Sequence, residues 1–429
     1  MTLLLLMACE RRPDVILLTI DTLRVDHVGA YGGPPTPAMD ALAARGITFE
    51  QAFAPISVTG PSFATLHTGL TPTSHGVVRN VFRGGESLEL EVTTLAELLA
   101  DEGYDTGAFV SGFTLRRELG LDQGFMVYDQ PDQNRRLGDE TADAAIDWLR
   151  AQWGPVFLWY HSYDPHGPLS AWCSPSPDDV DRQRRDDRLR IPRYQRMKGI
   201  HDPAEYAACY AEAVAFADAQ LLRLVNALDR EGRLDRALIV VTADHGETFT
   251  ERDLWFDHGT FPHEEQLHVP LLVKLPDDER AGERADALVG LHDVVPTVLD
   301  ALELEGPATD GRSLLVQPGH PWLEGESSHC KKEKPLDCRP YGIDGKTFAV
   351  RTEERTVVRH PTEDAVVYET YDRTRDPHER RPMKSAPPSE LKERVDALAA
   401  ARAALGLSDA PTGGDDAETE ALRALGYVE

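Results

Sequence analysis

Val15-Ile-Leu-Leu-Thr-Ile20-Asp21-Thr-Leu-Arg-Val-Asp26 opens on six residues that offer water almost nothing, then turns abruptly polar. An apolar run this short fits a strand covered on both faces, as in a parallel sheet. Ala108-Phe-Val110, Val156-Phe-Leu-Trp-Tyr160, Ala237-Leu-Ile-Val-Val241 and Val269-Pro-Leu-Leu-Val273 have the same texture. Helical patterns lie between them. Thr94-Leu-Ala-Glu97 is a capping box that opens a helix over 94–102, and a long helix falls between Asp202 and Asp229. Alternating strands and helices imply an α/β sandwich, in which ligands bind beyond the carboxyl ends of the strands.

The texture changes from about residue 306. Val357-Val358 and Val366-Val-Tyr-Glu-Thr-Tyr371 read as short strands, and Leu391 to Leu405 as a helix. The expected division is a signal-like segment at 1–11, a large domain at 12–305, a small α+β subdomain at 306–405, and a linker and tail at 406–429. The chain has 429 residues and is 41% hydrophobic, enough for a packed interior. Its 73 acidic residues outweigh 45 basic ones, for a net charge of −28, which repels nucleic acid and anionic lipid. An anionic substrate would need locally focused positive charge, and a bound cation would supply it.

Met1-Thr-Leu-Leu-Leu-Leu-Met-Ala-Cys9 is far short of the ~20 residues that span a bilayer. It is similar to a bacterial lipoprotein signal with Cys9 as the lipid anchor, which would place the protein in the periplasm or on the membrane surface. A ragged start in which Cys9 has no role is the alternative. Cys173, Cys209, Cys330 and Cys338 are even in number and fit two disulfides, with Cys330 and Cys338 closing a short loop; unpaired buried thiols are the other reading. The Asp- and Arg-rich stretch 170–200 is a lid or rim, or else a solvated insertion.

Three segments carry chemistry. Asp21 stands at the mouth of the first strand, where a buried carboxylate calls for a divalent cation or else caps a helix. Asp244-His245-Gly-Glu247 follows a strand in the same way and offers one oxygen and one imidazole nitrogen, with Gly246 letting the backbone turn beside the ion. In Ser57-Val-Thr59-Gly-Pro61-Ser62-Phe63, Pro61 marks the first turn of a helix, so Thr59 lies at its N-terminus. A hydroxyl there is a nucleophile once a metal ionises it, or it is merely the helix cap.

These segments resemble, in order, the sulfatase family of the alkaline-phosphatase superfamily. Asp21 falls in the family's first metal motif, Pro61-Ser62…Leu66…Thr68-Gly69 in its nucleophile signature, and Ala243-Asp244-His245-Gly246 in its later metal pair. Asp293-Val-Val-Pro-Thr297 and Asp310-Gly-Arg-Ser-Leu314 are similar to markers beyond the catalytic domain. The resemblance implies an α/β sandwich around a mixed, mainly parallel sheet with a small C-terminal α+β subdomain. It also implies one divalent metal (Ca, Mg, Mn or Zn) on Asp21, Thr59, Asp244 and His245, and a small-molecule, glycan or lipid ester of sulfuric or phosphoric acid as substrate.

The departures bear on mechanism. Thr59 stands where sulfatases carry the cysteine that becomes formylglycine, Phe63 where they have arginine, and Thr22 where they have a second aspartate. Ser111-Gly112-Phe113-Thr114 aligns with Gly-Lys-Trp-His and lacks both its lysine and its histidine. Threonine instead resembles the nucleotide pyrophosphatase/phosphodiesterases, whose asparagine donor corresponds to Asn80. His166 in Asp164-Pro165-His166-Gly-Pro168 and His258 are the expected leaving-group or substrate-contacting histidines, whereas His67, His75, His161 and His263 are taken as structural. A covalent Thr59 ester is hydrolysed readily at phosphorus but awkwardly at sulfur, so phosphoryl or phosphonyl chemistry is favoured while sulfate is kept. A second metal is less favoured, because Asp164 and His166 are two residues apart where two-metal relatives have four. A phosphoethanolamine-type transferase would need membrane helices, and the sequence shows none. A catalytically inactive binding protein on the same fold is the rival of another class.

Overall fold

The computed structural model describes residues 12–80, 86–173, 191–192, 195–198, 200, 202–252, 255–316, 319–327, 345–362 and 364–406. Cys9, Cys330, Cys338, most of the proposed rim and the 407–429 tail lie outside the described residues.

Among the described residues, twelve strands build two sheets. The larger contains β1 (Val15–Ile20), β2 (Ile47–Phe53), β3 (Asp105–Val110), β4 (Val127–Asp129), β5 (Val156–Ser162), β6 (Leu238–Thr242), β7 (Leu271–Lys274) and β8 (Glu283–Gly290). Their order is β4-β3-β5-β1-β6-β7-β2-β8. Every pairing is parallel except the two made by β7, so the sheet is mixed and mainly parallel. All five apolar runs read from sequence fall on strands of this sheet. β1, β5 and β6 are buried at every position, because helices cover both faces. β2, β4 and β8 are not marked by such runs for a physical reason: all lie at or near an edge, β4 has only three residues, β8 alternates partly exposed residues, and a bulge between Phe49 and Gln51 breaks the period of β2.

The Thr94 capping box forms as expected, with Oγ1 accepting from Glu97 N–H at 3.2 Å and the Glu97 carboxylate accepting from Thr94 N–H at 2.8 Å. The long helix runs Pro203–Arg230, and the Asp202 side chain caps it. Cys173 is disulfide-bonded to Cys209 on that helix, with Cα atoms 5.4 Å apart.

β9 (Leu323–Glu326), β10 (Phe348–Arg351), β11 (Arg355–Pro361) and β12 (Val366–Asp372) form the second, antiparallel sheet, in order β12-β11-β10-β9. Helix Ser389–Ala404 packs Leu391, Val395 and Leu398 on Phe348, Val350 and Val357 of this sheet. A buried ion pair between Arg402 and Glu326 ties this helix to its own sheet, and a bond from Arg402 to Pro72 O at 3.0 Å joins the unit to the larger one. Among the described residues no helix is long and apolar enough to cross a membrane.

Candidate active site

Three adjacent parallel strands deliver the site. β5, β1 and β6 run the same way, so their carboxyl ends share one edge of the sheet. Asp21 follows β1 directly, and its N–H donates to Ser162 O at 2.9 Å, carrying the ladder one residue further. Asp244 comes two residues after β6. Its Oδ1 accepts from Thr22 N–H at 3.1 Å and from His245 N–H at 2.9 Å. Those bonds leave Oδ2 facing the site. Thr22 reaches Asp244 with a φ of 55°, a conformation that a β-branched residue adopts only under strain of roughly 1–3 kcal/mol. His245 Nδ1–H donates to Gly246 O at 2.8 Å, which fixes the tautomer and leaves the Nε2 lone pair to a ligand. Gly246 is needed for close approach rather than for a special turn: a Cβ there would stand 2.3 Å from Glu265 O.

The ligand atoms of Asp21, Asp244 and His245 all lie within 4.8 Å of one another. Both Asp21 oxygens, Asp244 Oδ2 and His245 Nε2 are buried and have no hydrogen-bond partner among the described residues. Burial drives the Asp21 carboxyl well above the usual range, and the neighbouring Asp244 charge pushes the same way. Such a cluster is stable when a cation compensates it. Two hard oxygens and one imidazole suit a divalent metal, which fits the ion that the sequence implied.

Thr59 is the first residue of helix Thr59–Thr68. Val58 holds the cap position, so the cap reading of Thr59 is set aside. Its hydroxyl is buried and has no partner among the described residues. One turn along, Ser62 Oγ donates to Asp244 O at 2.6 Å and pins the start of the helix against the metal-ligand loop. Gly60 N–H donates to Asn80 Oδ1 at 2.7 Å. That bond orients the amide, with oxygen toward the helix and NH2 as the donor end.

His166 and His258 join the same cluster. The His245 and His258 rings are 4.5 Å apart, and those of His258 and His166 are 5.0 Å apart. His258 Nδ1 faces Glu247 Oε2 at 3.4 Å. His166 Nδ1–H donates to Gly167 O at 2.7 Å, its ring stacks on Tyr163, and burial pushes it down to about 3. Asp164 is committed elsewhere, to Ser162 Oγ at 2.6 Å and Gly138 N–H at 3.1 Å. It therefore anchors the start of helix Gly138–Ala151.

Three residues of this region were missed in the sequence. His161, taken as structural, has Nε2 3.4 Å from Asp21 Oδ2, and neither of its ring nitrogens has a partner among the described residues. The signal was there: His161 and Ser162 are polar residues closing an otherwise apolar buried strand. Glu247 closes the Asp244-His245-Gly-Glu247 motif and faces His258. Arg135 donates from Nη1 to His166 O at 3.1 Å and Pro168 O at 3.3 Å, while its buried Nη2 has no partner among the described residues. Its charge opposes the effects of burial and Asp244 at Asp21. The trace in sequence was Arg135-Arg136 just ahead of a helix start, where cations are disfavoured without another reason.

A family model described as Sulfatase matches residues 13–304, well over half of the 429. The chain belongs to the sulfatase family. A second model, N-sulphoglucosamine sulphohydrolase, C-terminal, matches residues 252–399. The chain is similar to the uncharacterized sulfatase YidJ of Escherichia coli K12, at 25% identity over 69% of each chain. It is also similar to the N-acetylglucosamine-6-O-sulfatase of Bacteroides thetaiotaomicron, at 24% identity over 86% of this chain and 82% of that one. Its fold matches a phosphonate monoester hydrolase of Agrobacterium radiobacter, with a TM-score of 0.73, 22% identity, and 92% and 96% of the two chains covered. As a sulfatase-family protein it is a hydrolase of sulfate- or phosphate-type esters. Within the family frame Phe63, standing for an arginine, packs edge-on against His161 at 5.2 Å and beside Trp159 at 5.3 Å, so an aromatic cluster fills that space.

Proposed function

We propose that this sulfatase-family member is a metal-dependent hydrolase of phosphate- or phosphonate-type esters that works through a covalent Thr59 ester. The observation that carries the reading is the buried Thr59 hydroxyl, which has no partner among the described residues. It stands at a helix N-terminus that Ser62 fastens to Asp244. Asp21, Asp244 and His245 would hold one divalent ion, joined by Thr59 Oγ. When bound, that ion supplies positive charge that favours an ionised threonine oxygen and an electrophilic ester centre.

Thr59 Oγ, its proton lost to solvent, attacks in line. The Oγ–P bond forms as the bond to the leaving oxygen breaks. The Asn80 NH2 meets the developing equatorial charge, a donor role typically worth ~3 kcal/mol of barrier. Arg135 Nη2 offers a further charged donor to an anionic substrate oxygen, where the family lysine and arginine are missing. His258, backed by Glu247, gives the leaving oxygen its proton, and His166 contacts substrate oxygen from the adjoining wall. Water then cleaves the Thr59 ester by a second in-line attack at phosphorus. A sulfated threonine lacks the geminal hydroxyl through which formylglycine expels sulfate, which is why phosphorus is preferred.

The second reading, a sulfate ester, is supported by the name of the Bacteroides relative. The test is turnover of nitrophenyl phosphate, a phosphodiester, a phosphonate monoester and a sulfate ester by metal-loaded protein, beside Thr59→Ala. A phosphoryl or phosphonyl substrate should be turned over, with activity falling by three or more orders of magnitude in the variant. Acid-quenched wild type should carry a phosphoryl mass on the peptide containing Thr59. Full activity in Thr59→Ala would overturn the nucleophile. No turnover of any ester would leave a binding protein.

A further inference from the structure

We propose that His263, His360 and Glu369 form a second metal site, for a zinc-class divalent cation, that ties the C-terminal sheet to the larger one. The first ligand, His263, precedes helix Glu264–Leu267 and is 1% exposed. Neither of its ring nitrogens has a hydrogen-bond partner among the described residues. A buried imidazole in that state is unsatisfied on both sides unless something absent from the polypeptide takes it.

The other two ligands come from the second sheet. β11 and β12 pair His360 with Val367 and Val358 with Glu369, which sets His360 and Glu369 diagonally on one face. His360 Nε2 lies 3.1 Å from Glu369 Oε2, and His263 Nε2 lies 3.7 Å from the same oxygen. All three ligand atoms fall within 4.8 Å of one another. Ligands ~2.0–2.1 Å from a tetrahedral zinc stand roughly 3.3–3.5 Å apart, so the two measured separations straddle the required edge. Arg252, the cation nearest in effect, is paired with Glu265 at 2.5 Å. Glu369, 34% exposed along its side chain, gives ions a way in.

A pure hydrogen-bond network accounts for less. Glu369 Oε2 accepts from Tyr371 OH at 2.6 Å and meets His360 at 3.1 Å, whereas His263 stands 3.7 Å away, beyond hydrogen-bond reach. The contrast is the cluster His292, Asp293 and His320, where the Asp293 carboxylate already accepts from Gly290 N–H, Arg312 N–H and His320.

The test is metal stoichiometry on the full chain, stripped with chelator, refilled with zinc and measured by elemental mass spectrometry. Asp21→Asn/Asp244→Asn protein should retain one equivalent of zinc. Adding either His360→Ala or the near-isosteric Glu369→Gln should remove it, with the far-ultraviolet circular dichroism unchanged by the latter. Cobalt in place of zinc should give a tetrahedral visible band in the double variant, lost with Glu369→Gln. Zero equivalents in Asp21→Asn/Asp244→Asn, or one equivalent surviving both His360→Ala and Glu369→Gln, overturns the site. Zinc held here by wild type that holds none on Asp21 and Asp244 would instead sink the catalytic metal alone.

Discussion

Asn80 and Arg135 show what a single side chain contributes once its orientation is fixed. The Gly60 N–H can bond only to the amide oxygen of Asn80, so the donor end is set without any choice of rotamer by the substrate. Arg135 is tethered by two main-chain carbonyls and keeps one buried donor face. In a chain of net charge −28, that fixed cation would supply local positive charge to an anionic substrate in the proposed mechanism. Arg135→Gln is expected to lower kcat/KM for anionic esters by roughly 10- to 100-fold, the range for one charged hydrogen bond. Arg135→Lys should recover part of the loss, because charge survives while the fork geometry does not. Steady-state kinetics on the three proteins check this, and an unchanged KM and kcat in Arg135→Gln would remove the residue from the site.

At the level of elements, helix Thr59–Thr68 is held at both ends. Its start is fastened by Ser62 to Asp244 and by Gly60 to Asn80. Its far end closes at Gly69, whose carbonyl accepts from Asp310 N–H at 3.0 Å, while Asp310 Oδ2 accepts from Thr71 N–H at 2.7 Å. The Asp293 and Asp310 markers read from sequence thus serve to hold the helix that bears Thr59, with Asp293 Oδ1 accepting from Arg312 N–H at 2.9 Å. A Cβ at Gly60 would stand 2.8 Å from Asn80 Oδ1. Gly60→Ala should therefore displace Asn80 while leaving the helix intact, since alanine is the better helix former by about 1 kcal/mol. We expect a ~10- to 100-fold fall in kcat with no loss of thermal stability. A variant that unfolds early, or one with full kcat, would contradict that separation of site from scaffold.

Over the whole molecule, the interior contains imidazoles that must stay neutral. His67 lies among Trp159, Phe125 and Phe63 without a hydrogen-bond partner among the described residues, and burial pushes it down to about 3. His75 is also pushed to about 3, chiefly by burial, and its ring meets Thr65 Oγ1 at 3.0 Å. The unfolded chain protonates these groups near pH 6.5, whereas the folded one resists until about 3. Stability must then fall as pH drops through that window, by up to about 1.4 kcal/mol per pH unit for each group. Urea unfolding between pH 7 and 5 should show the slope. His67→Phe should flatten it by one group's share and cost little at pH 7, and an identical slope in the two proteins would refute the assignment.

Much of this was legible because local pattern and chemistry coincided. The uniformly apolar runs at Val15–Ile20 and Leu238–Thr242 read as covered strands, and Asp21, Asp244 and His245 follow directly from them in the chain. Glu247 lies inside the Asp244-His245 motif, but Arg135 and His161 were not legible as neighbours of Asp21. Their place depends on strand order and loop course, which bring residues more than a hundred positions apart to one sheet edge. The same holds for His263, silent in sequence until β11 and β12 set His360 and Glu369 against it. Covered parallel strands and the metal-type residues at their ends can be read along the chain, because an apolar run and a carboxylate that closes it are local facts. Tertiary structure alone decided which cations, imidazoles and donors face them, because proximity across a sheet is set by packing and not by spacing along the chain.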